Sequence, residues 1–208
     1  MKQQQATFFF RNQTKTIFME NYKIIPVETT YLEMLTFSNF STEFDLEKKT
    51  DILIIQAVDI PINFYKFLYT EIGGKWGWSQ RLLINEQELS KTINSSNTYI
   101  YVLYLKGIPC GFAEYQQLNS QNIELKYFGL LPSLTGKGYG KLLLNSTLSK
   151  MWELMPSRIF LQTCVLDSAS ALNFYQKNGF KIYDQKICQE PYPIDFLENL
   201  KSVDSQNL

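Results

Sequence analysis

Three glycines at alternate positions, Gly136, Gly138 and Gly140, stand between a stretch that reads as a β-strand and one that reads as an α-helix. The strand runs from Ile123 to Leu131 and stops at Pro132. The helix runs from Tyr139 to Trp152, with Leu142, Leu143, Leu148, Met151 and Trp152 on one apolar face. A strand that feeds a glycine loop and then a helix N-terminus is a phosphate-binding arrangement: opening amides and the positive end of the helix dipole face the anion, and glycine lets backbone approach it closely. Lys137 and Lys141 add charge at the rim. Spacing narrows the ligand. A triphosphate loop requires Ser or Thr where Leu142 stands, and a dinucleotide loop requires G-x-G-x-x-G rather than the G-x-G-x-G found here. On the glycines alone, a turn that binds nothing stays open.

The chain of 208 residues suits one large domain with a substantial core, since a compact chain of this size buries roughly 70% of its unfolded surface. Lys plus Arg number 20 and Asp plus Glu number 20, a balance that predicts neither a nucleic-acid nor an anionic-membrane partner and points to a small molecule or a peptide. The chain contains no His. That excludes a Ser-His-Asp triad, a Cys-His dyad, a His general base and a His-ligated metal. Cys110, Cys164 and Cys188 have no C-x-x-C spacing and read as reduced thiols. The Phe8-Phe9-Phe10 run is cut off by Arg11, Asn12 and Gln13, so no signal-peptide core develops, and no stretch approaches the ~18 apolar residues of a membrane span. A cytoplasmic protein is expected.

The pattern divides the chain into a polar N-terminal tail or arm at 1–21, one domain at 22–187, and a C-terminal tail at 188–208 that the prolines at 191 and 193 leave without firm structure. Within the domain, strands are expected from Lys23 to about Phe37 and from Asp51 to Val58, followed by a helix from Pro61 to Ile72 that ends at Gly73-Gly74. An aromatic loop, Gly73 to Arg81, leads to a short helix over Glu86 to Ile93 with Asn85 as its N-cap. Thr98–Leu105, Ile108–Gln117 and Ile123–Leu131 form an antiparallel meander. After the glycine loop and its helix come a strand at Arg158–Val165, a helix at Ala169–Lys177 and a strand at Phe180–Ile187.

With that order in view, L-L-P-S-L-T-G-K-G-Y-G resembles motif A of the GNAT (GCN5-related N-acetyltransferase) superfamily, V-x-P-x-x-[RQ]-G-x-G-x-[GA]. A-L-N-F-Y-Q-K-N-G-F at Ala171 to Phe180 resembles its motif B, A-x-x-[LF]-Y-x-x-x-G-F. The two occur in the family's order, with a strand between them and a meander before them. Y-L-E-M, W-x-W, Y-F-G-L and T-x-x-L-D stretches are similar to those of a group of bacterial members. The resemblance covers roughly residues 50 to 187. It implies a mixed α/β (α+β-like) fold with a mostly antiparallel sheet, splayed at a V-shaped cleft and flanked by helices.

The resemblance also implies acetyl-CoA or a related acyl-CoA as donor, with no metal. The backbone of Leu130 and Leu131 would pair with the pantetheine arm. Thr135, Gly136, Lys137, Gly138, Tyr139 and Gly140 would cradle the pyrophosphate, with Lys141 at the rim. Two departures stand out: Thr135 replaces the usual Arg or Gln, and Ser168 replaces the Asn that often opens motif B. Tyr175 falls on the tyrosine that protonates the departing thiolate. By position, the stretch from Phe64 to Arg81 walls the acceptor site, where Tyr69, Trp76, Trp78 and Arg81 would line the pocket and its aromatic rings would hold the cationic form of an amine through cation–π contact.

Acyl transfer to an amine needs a group that removes the amine's proton. Without His, this is a carboxylate or water. Glu124 alternates with Lys126 and Phe128 and lies close to where many GNAT enzymes hold a catalytic Glu, while Glu114 in the neighbouring strand is its rival. Register does not choose between them. The expected activity is N-acetyl transfer to a primary amine of a small molecule or peptide by direct attack in a ternary complex; the alternatives are a non-catalytic acyl-CoA-binding or sensing module and an interaction domain. Nothing in the sequence excludes a homodimer.

Overall fold

A computed structural model describes residues 20–36 and 51–204, so the expected N-terminal arm lies almost wholly outside the described residues. The elements are β1 (Tyr22–Met34), β2 (Ile52–Ala57), α1 (Ile62–Gly73), α2 (Glu86–Ile93), β3 (Thr98–Leu105), β4 (Ile108–Gln117), β5 (Asn122–Leu130), α3 (Tyr139–Glu153), β6 (Arg158–Cys164), α4 (Ala171–Lys177), β7 (Lys181–Pro193) and α5 (Ile194–Asp204). Asn85 caps α2 as expected, its side chain accepting from the Glu88 amide at 2.8 Å.

The seven strands form one mixed sheet in the order β2-β3-β4-β5-β6-β1-β7. One face packs against α3 and α4 through Ala113, Leu125, Leu143, Leu148 and Met151. The other packs against α1 and α2 through Tyr65, Tyr69, Leu89, Val102 and Phe112. Among the described residues the β5–β6 pairing is the only parallel one, and it lasts four residues, Asn122–Leu125 against Arg158–Leu161. Beyond it the strands part and leave a wedge at their carboxyl ends, the usual place for a ligand where parallel strands diverge.

Local order in the chain did not foretell two features. The first strand is buried between the last two, pairing antiparallel with β6 from Thr29 to Met34 and with β7 along nearly its whole length. The last strand runs six residues past Ile187 and is followed by α5, where a tail without structure was expected. Pro191 and Pro193 are tolerated because β7 is the edge strand, where a missing N–H need not break a ladder. Pro26 is tolerated in β1 because at that point β1 has no β6 partner.

A bulge in β5 resets the side-chain pattern. Glu114 pairs with Tyr127 and Tyr115 with Leu125, so Lys126 is left without a partner. Ile123 and Leu125 before the bulge and Phe128 and Leu130 after it therefore face the same core, while Tyr127 faces the other. The expected grouping of Glu124 with Phe128 is thus corrected: the extra residue puts them on opposite faces.

Candidate functional site

The glycine loop takes the conformation its spacing requires. Gly136 has φ 75° and Gly138 has φ 85°, the left-handed region in which a Cβ is strained. Gly138 is the N-cap of α3, and the first intrahelical bond runs from the Leu142 N–H to its carbonyl. The amides of Gly140 and Lys141, ahead of that bond, belong to the opening turn and suit an anion.

A cavity of about 590 Å³ runs from this loop into the wedge and is lined by Leu130, Thr135, Gly136, Gly138, Gly140, Lys141 and Ser168 among others. Among the described residues its only charged lining residues are Lys141 and Lys177. Three expected members stand apart. The Leu131 N–H donates to the Cys110 carbonyl at 2.8 Å and its carbonyl accepts from Leu134 at 2.9 Å, so Leu130 alone of that pair faces the cleft. Lys137 Nζ donates to the Ser133 carbonyl at 2.8 Å. Tyr139 packs on the α3-side core.

A smaller cavity of about 180 Å³ opens on the same wedge, lined by Tyr69, Trp76, Trp78, Glu124 and Tyr127 on one side and by Asp167, Glu190 and Tyr192 on the other. Trp76, Trp78, Phe128, Ser168, Ala171 and Tyr175 line both cavities, so the two meet there. Tyr175 packs edge-on against Phe128 and Phe180. Burial first, and then the negative charge of Asp167, raise the Tyr175 pKa, so the phenol keeps its proton through the neutral range.

The two candidate carboxylates are now separated. Glu124 lines the smaller cavity, with Lys126 Nζ at 3.0 Å from its Oε1. Glu114 lines neither cavity and is fully buried. It takes a hydrogen bond from Tyr65 Oη at 2.5 Å and an ion pair from Arg81 Nη2. Arg81, expected in the acceptor wall, lies behind that wall, its guanidinium 5.2 Å from the Tyr127 ring.

Sequence reasoning missed Asp167, Glu190 and Tyr192. Asp167 accepts from Thr163 Oγ1 at 2.7 Å and from the Cys164 amide at 3.0 Å, which fixes the turn after β6. Glu190 and Tyr192 sit on the part of β7 that the prolines disguised. That stretch is tied to the tryptophan loop: Ser79 Oγ donates to the Pro191 carbonyl, and Gln80 Nε2 donates to Glu190 Oε2 at 2.8 Å. Cys164 also faces the smaller cavity, but burial and then Asp167 push its thiol pKa up, which leaves it a poor nucleophile.

The model of the acetyltransferase (GNAT) family matches residues 63–180, more than half of the chain. The chain belongs to the GNAT acetyltransferase family. Solved structures share the fold at low sequence identity. A GNAT-family protein from Novosphingobium aromaticivorans superposes with a TM-score of 0.57 at 13% identity, covering 84% of this chain and 68% of that one. A GNAT acetyltransferase from Elizabethkingia anophelis, solved with acetyl-CoA bound, gives 0.51 at 18% identity over 65% and 80% of the two chains. An aminoglycoside acetyltransferase from an uncultured soil metagenomic sample gives 0.52 at 18% identity over 65% and 89%. No curated protein matches the chain.

The residues present fit the family's acetyl-CoA: a left-handed glycine loop, the N-terminus of α3, two lysines and the open edge of β5 surround the larger cavity. Among the described residues no group of His, Cys, Asp or Glu is placed to hold a metal ion, and no helix is long and apolar enough to cross a membrane.

Proposed function

We propose that this GNAT member is an N-acetyltransferase that moves the acetyl group of acetyl-CoA to a primary amine by direct attack in a ternary complex. The observation that carries the reading is the pair of cavities of opposite charge that meet at Tyr175. Among the described residues the larger has lysines and no carboxylate in its wall, as suits a phosphate-bearing donor; the smaller carries carboxylates and aromatic rings, as suits an amine.

Acetyl-CoA, when bound, supplies an activated thioester. Thr135, Gly136, Gly138, Gly140 and Lys141 at the α3 N-terminus would hold the pyrophosphate, and the backbone of Leu130 would hold the pantetheine arm along the edge of β5 beyond its pairing with β6. Glu124 takes the proton of the incoming ammonium, directly or through a water, with Lys126 Nζ 3.0 Å from its Oε1. Tyr175 Oη retains its proton and is the group able to return one to a leaving thiolate. Trp76 and Trp78 frame the mouth between the two cavities, with Tyr69 deeper in the acceptor wall. The raised Cys164 pKa favours direct transfer over a covalent acyl-cysteine.

Thermal melting with and without acetyl-CoA tests the donor site, since ligand at one hundred times its dissociation constant stabilises by about 2.7 kcal/mol. The wild type is expected to gain stability and Gly138→Asp, which puts a carboxylate into the loop, is not. Mass-detected acetylation of an amine panel then tests the transfer. If the wild-type melt does not move at millimolar acetyl-CoA, the reading is wrong. If it moves but no amine is acetylated, a binding or sensing module replaces it.

A further inference from the structure

Resting on the reading of the smaller cavity as the acceptor site, we propose that the acceptor carries a second cationic group besides the amine that is acetylated, and that Glu190 receives that group. The wall of this cavity contains three carboxylates, Glu124, Asp167 and Glu190, against one ammonium, Lys126. Lys126 is paired with Glu124 at 3.0 Å. Asp167 is held by the Thr163 hydroxyl and the Cys164 amide as part of the β6 turn. Arg81, close behind the wall, is occupied by the buried Glu114.

Glu190 differs from Glu124 in having no lysine beside it, and from Asp167, whose two donors lie on its own turn, in having a single side-chain partner on another loop. It is half-buried, its bond comes from the neutral Gln80 amide at 2.8 Å, and among the described residues it forms no ion pair. A partly desolvated carboxylate without a countercharge, inside a cavity walled by Trp76, Trp78, Tyr127 and Tyr192, is a receptor for an ammonium or guanidinium. The wall senses this field: after burial and the Cys164 contact, Asp167 and Glu190 both raise the Tyr192 pKa.

One amine must lose its proton to react, so the charge that Glu190 reads is the distal one, which stays protonated. Glu190 lies on the end of β7 while Tyr175 lies on α4, across the cavity wall. The distal charge therefore sets how far the reacting amine reaches into the wedge.

The test compares putrescine and cadaverine with butylamine and pentylamine, by calorimetric binding to the full chain saturated with CoA and by kcat/KM with acetyl-CoA. A dication is expected to bind about tenfold more tightly than the monoamine of equal length, the order of one partly desolvated charge pair. Glu190→Gln is expected to erase the preference. Glu198→Gln, which removes the same charge from an exposed position on α5, is expected to keep it. Equal binding of diamine and monoamine overturns the proposal, and a preference that survives in Glu190→Gln overturns the role of Glu190. Should CoA itself fail to bind, the donor reading falls instead. The same amine titration on the free chain then still decides whether the cavity reads a second charge.

Discussion

At the scale of single residues, the Tyr175 phenol and the Glu114 carboxylate show how burial serves different ends. Tyr175 is half-buried where two cavities meet, and burial together with Asp167 keeps it protonated. Tyr175→Phe removes only the hydroxyl, so kcat is expected to fall by roughly 10²- to 10⁴-fold while acetyl-CoA binding by calorimetry stays unchanged. A kcat within threefold of wild type would remove Tyr175 from the chemistry. Glu114 is buried with its charge answered by Arg81 and its second oxygen by Tyr65. Glu114→Gln leaves the Arg81 guanidinium uncompensated in the interior. Denaturant melts should show a loss of about 3–5 kcal/mol, with much of it restored when Arg81→Met is added. If Glu114 were the base, Glu114→Gln would instead abolish turnover at near-normal stability.

At the scale of elements, three irregularities build the site. The bulge at Lys126 turns Phe128 toward α4 and leaves Glu124 on the other side of the strand. The short parallel pairing of β5 with β6 opens the wedge. The extension of β7 carries Glu190 and Tyr192 to the acceptor cavity and anchors the loop that holds both tryptophans. Close approach secures this loop from the other side, since a Cβ on Gly73 would lie 2.0 Å from the Trp78 ring. Ser79→Ala cuts the tie to the Pro191 carbonyl, at a stability cost of about 1 kcal/mol. Because no residue of this tie lines the larger cavity, the amine KM should rise while the acetyl-CoA dissociation constant holds. Steady-state kinetics with both substrates varied separates the two, and a parallel rise in both constants would contradict the assignment of the loop to the acceptor side.

At the scale of the whole molecule, the sheet separates two cores, and the α1-side core is unusually phenolic. Tyr65, Tyr69 and Tyr127 have pKa values raised first of all by burial, Tyr127 up to about 12. The sign of the linkage follows. The unfolded chain ionises its tyrosines near pH 10 and the folded one only at higher pH, so their contribution is complete below pH 10 and is lost as pH rises through 12. Tyrosinate absorbance is therefore expected to rise in two stages, exposed phenols first and the buried set only with unfolding. A single transition near pH 10 with the fold intact would show that these phenols are not held by the core.

The glycine loop, its helix, the meander and the order of the later elements were legible in the sequence, because each rests on residues close together in the chain. Gly136 and Gly138 mark left-handed positions, Asn85 marks a cap, and an apolar stripe marks α3. The same locality places Leu130, Thr135, Gly136, Gly138, Gly140, Lys141 and Ser168 together in the wall of the large cavity, while Phe128, Phe174 and Lys177 of that wall were not singled out from the sequence. What the tertiary structure alone decided depends on contacts between distant parts of the chain. The choice of Glu124 over Glu114 for the cavity wall turned on the environment each strand meets. The placement of β1 between β6 and β7 joins residues more than 120 positions apart. Glu190 and Tyr192 entered the site only because an edge strand can carry prolines that would break a central one. Sequence determined where the chain bends, caps and exposes glycine, since those are local steric and hydrogen-bonding requirements. Only the packed sheet decided which carboxylate is answered by an arginine and which faces the wedge, since a charge's partner is set by neighbours in space.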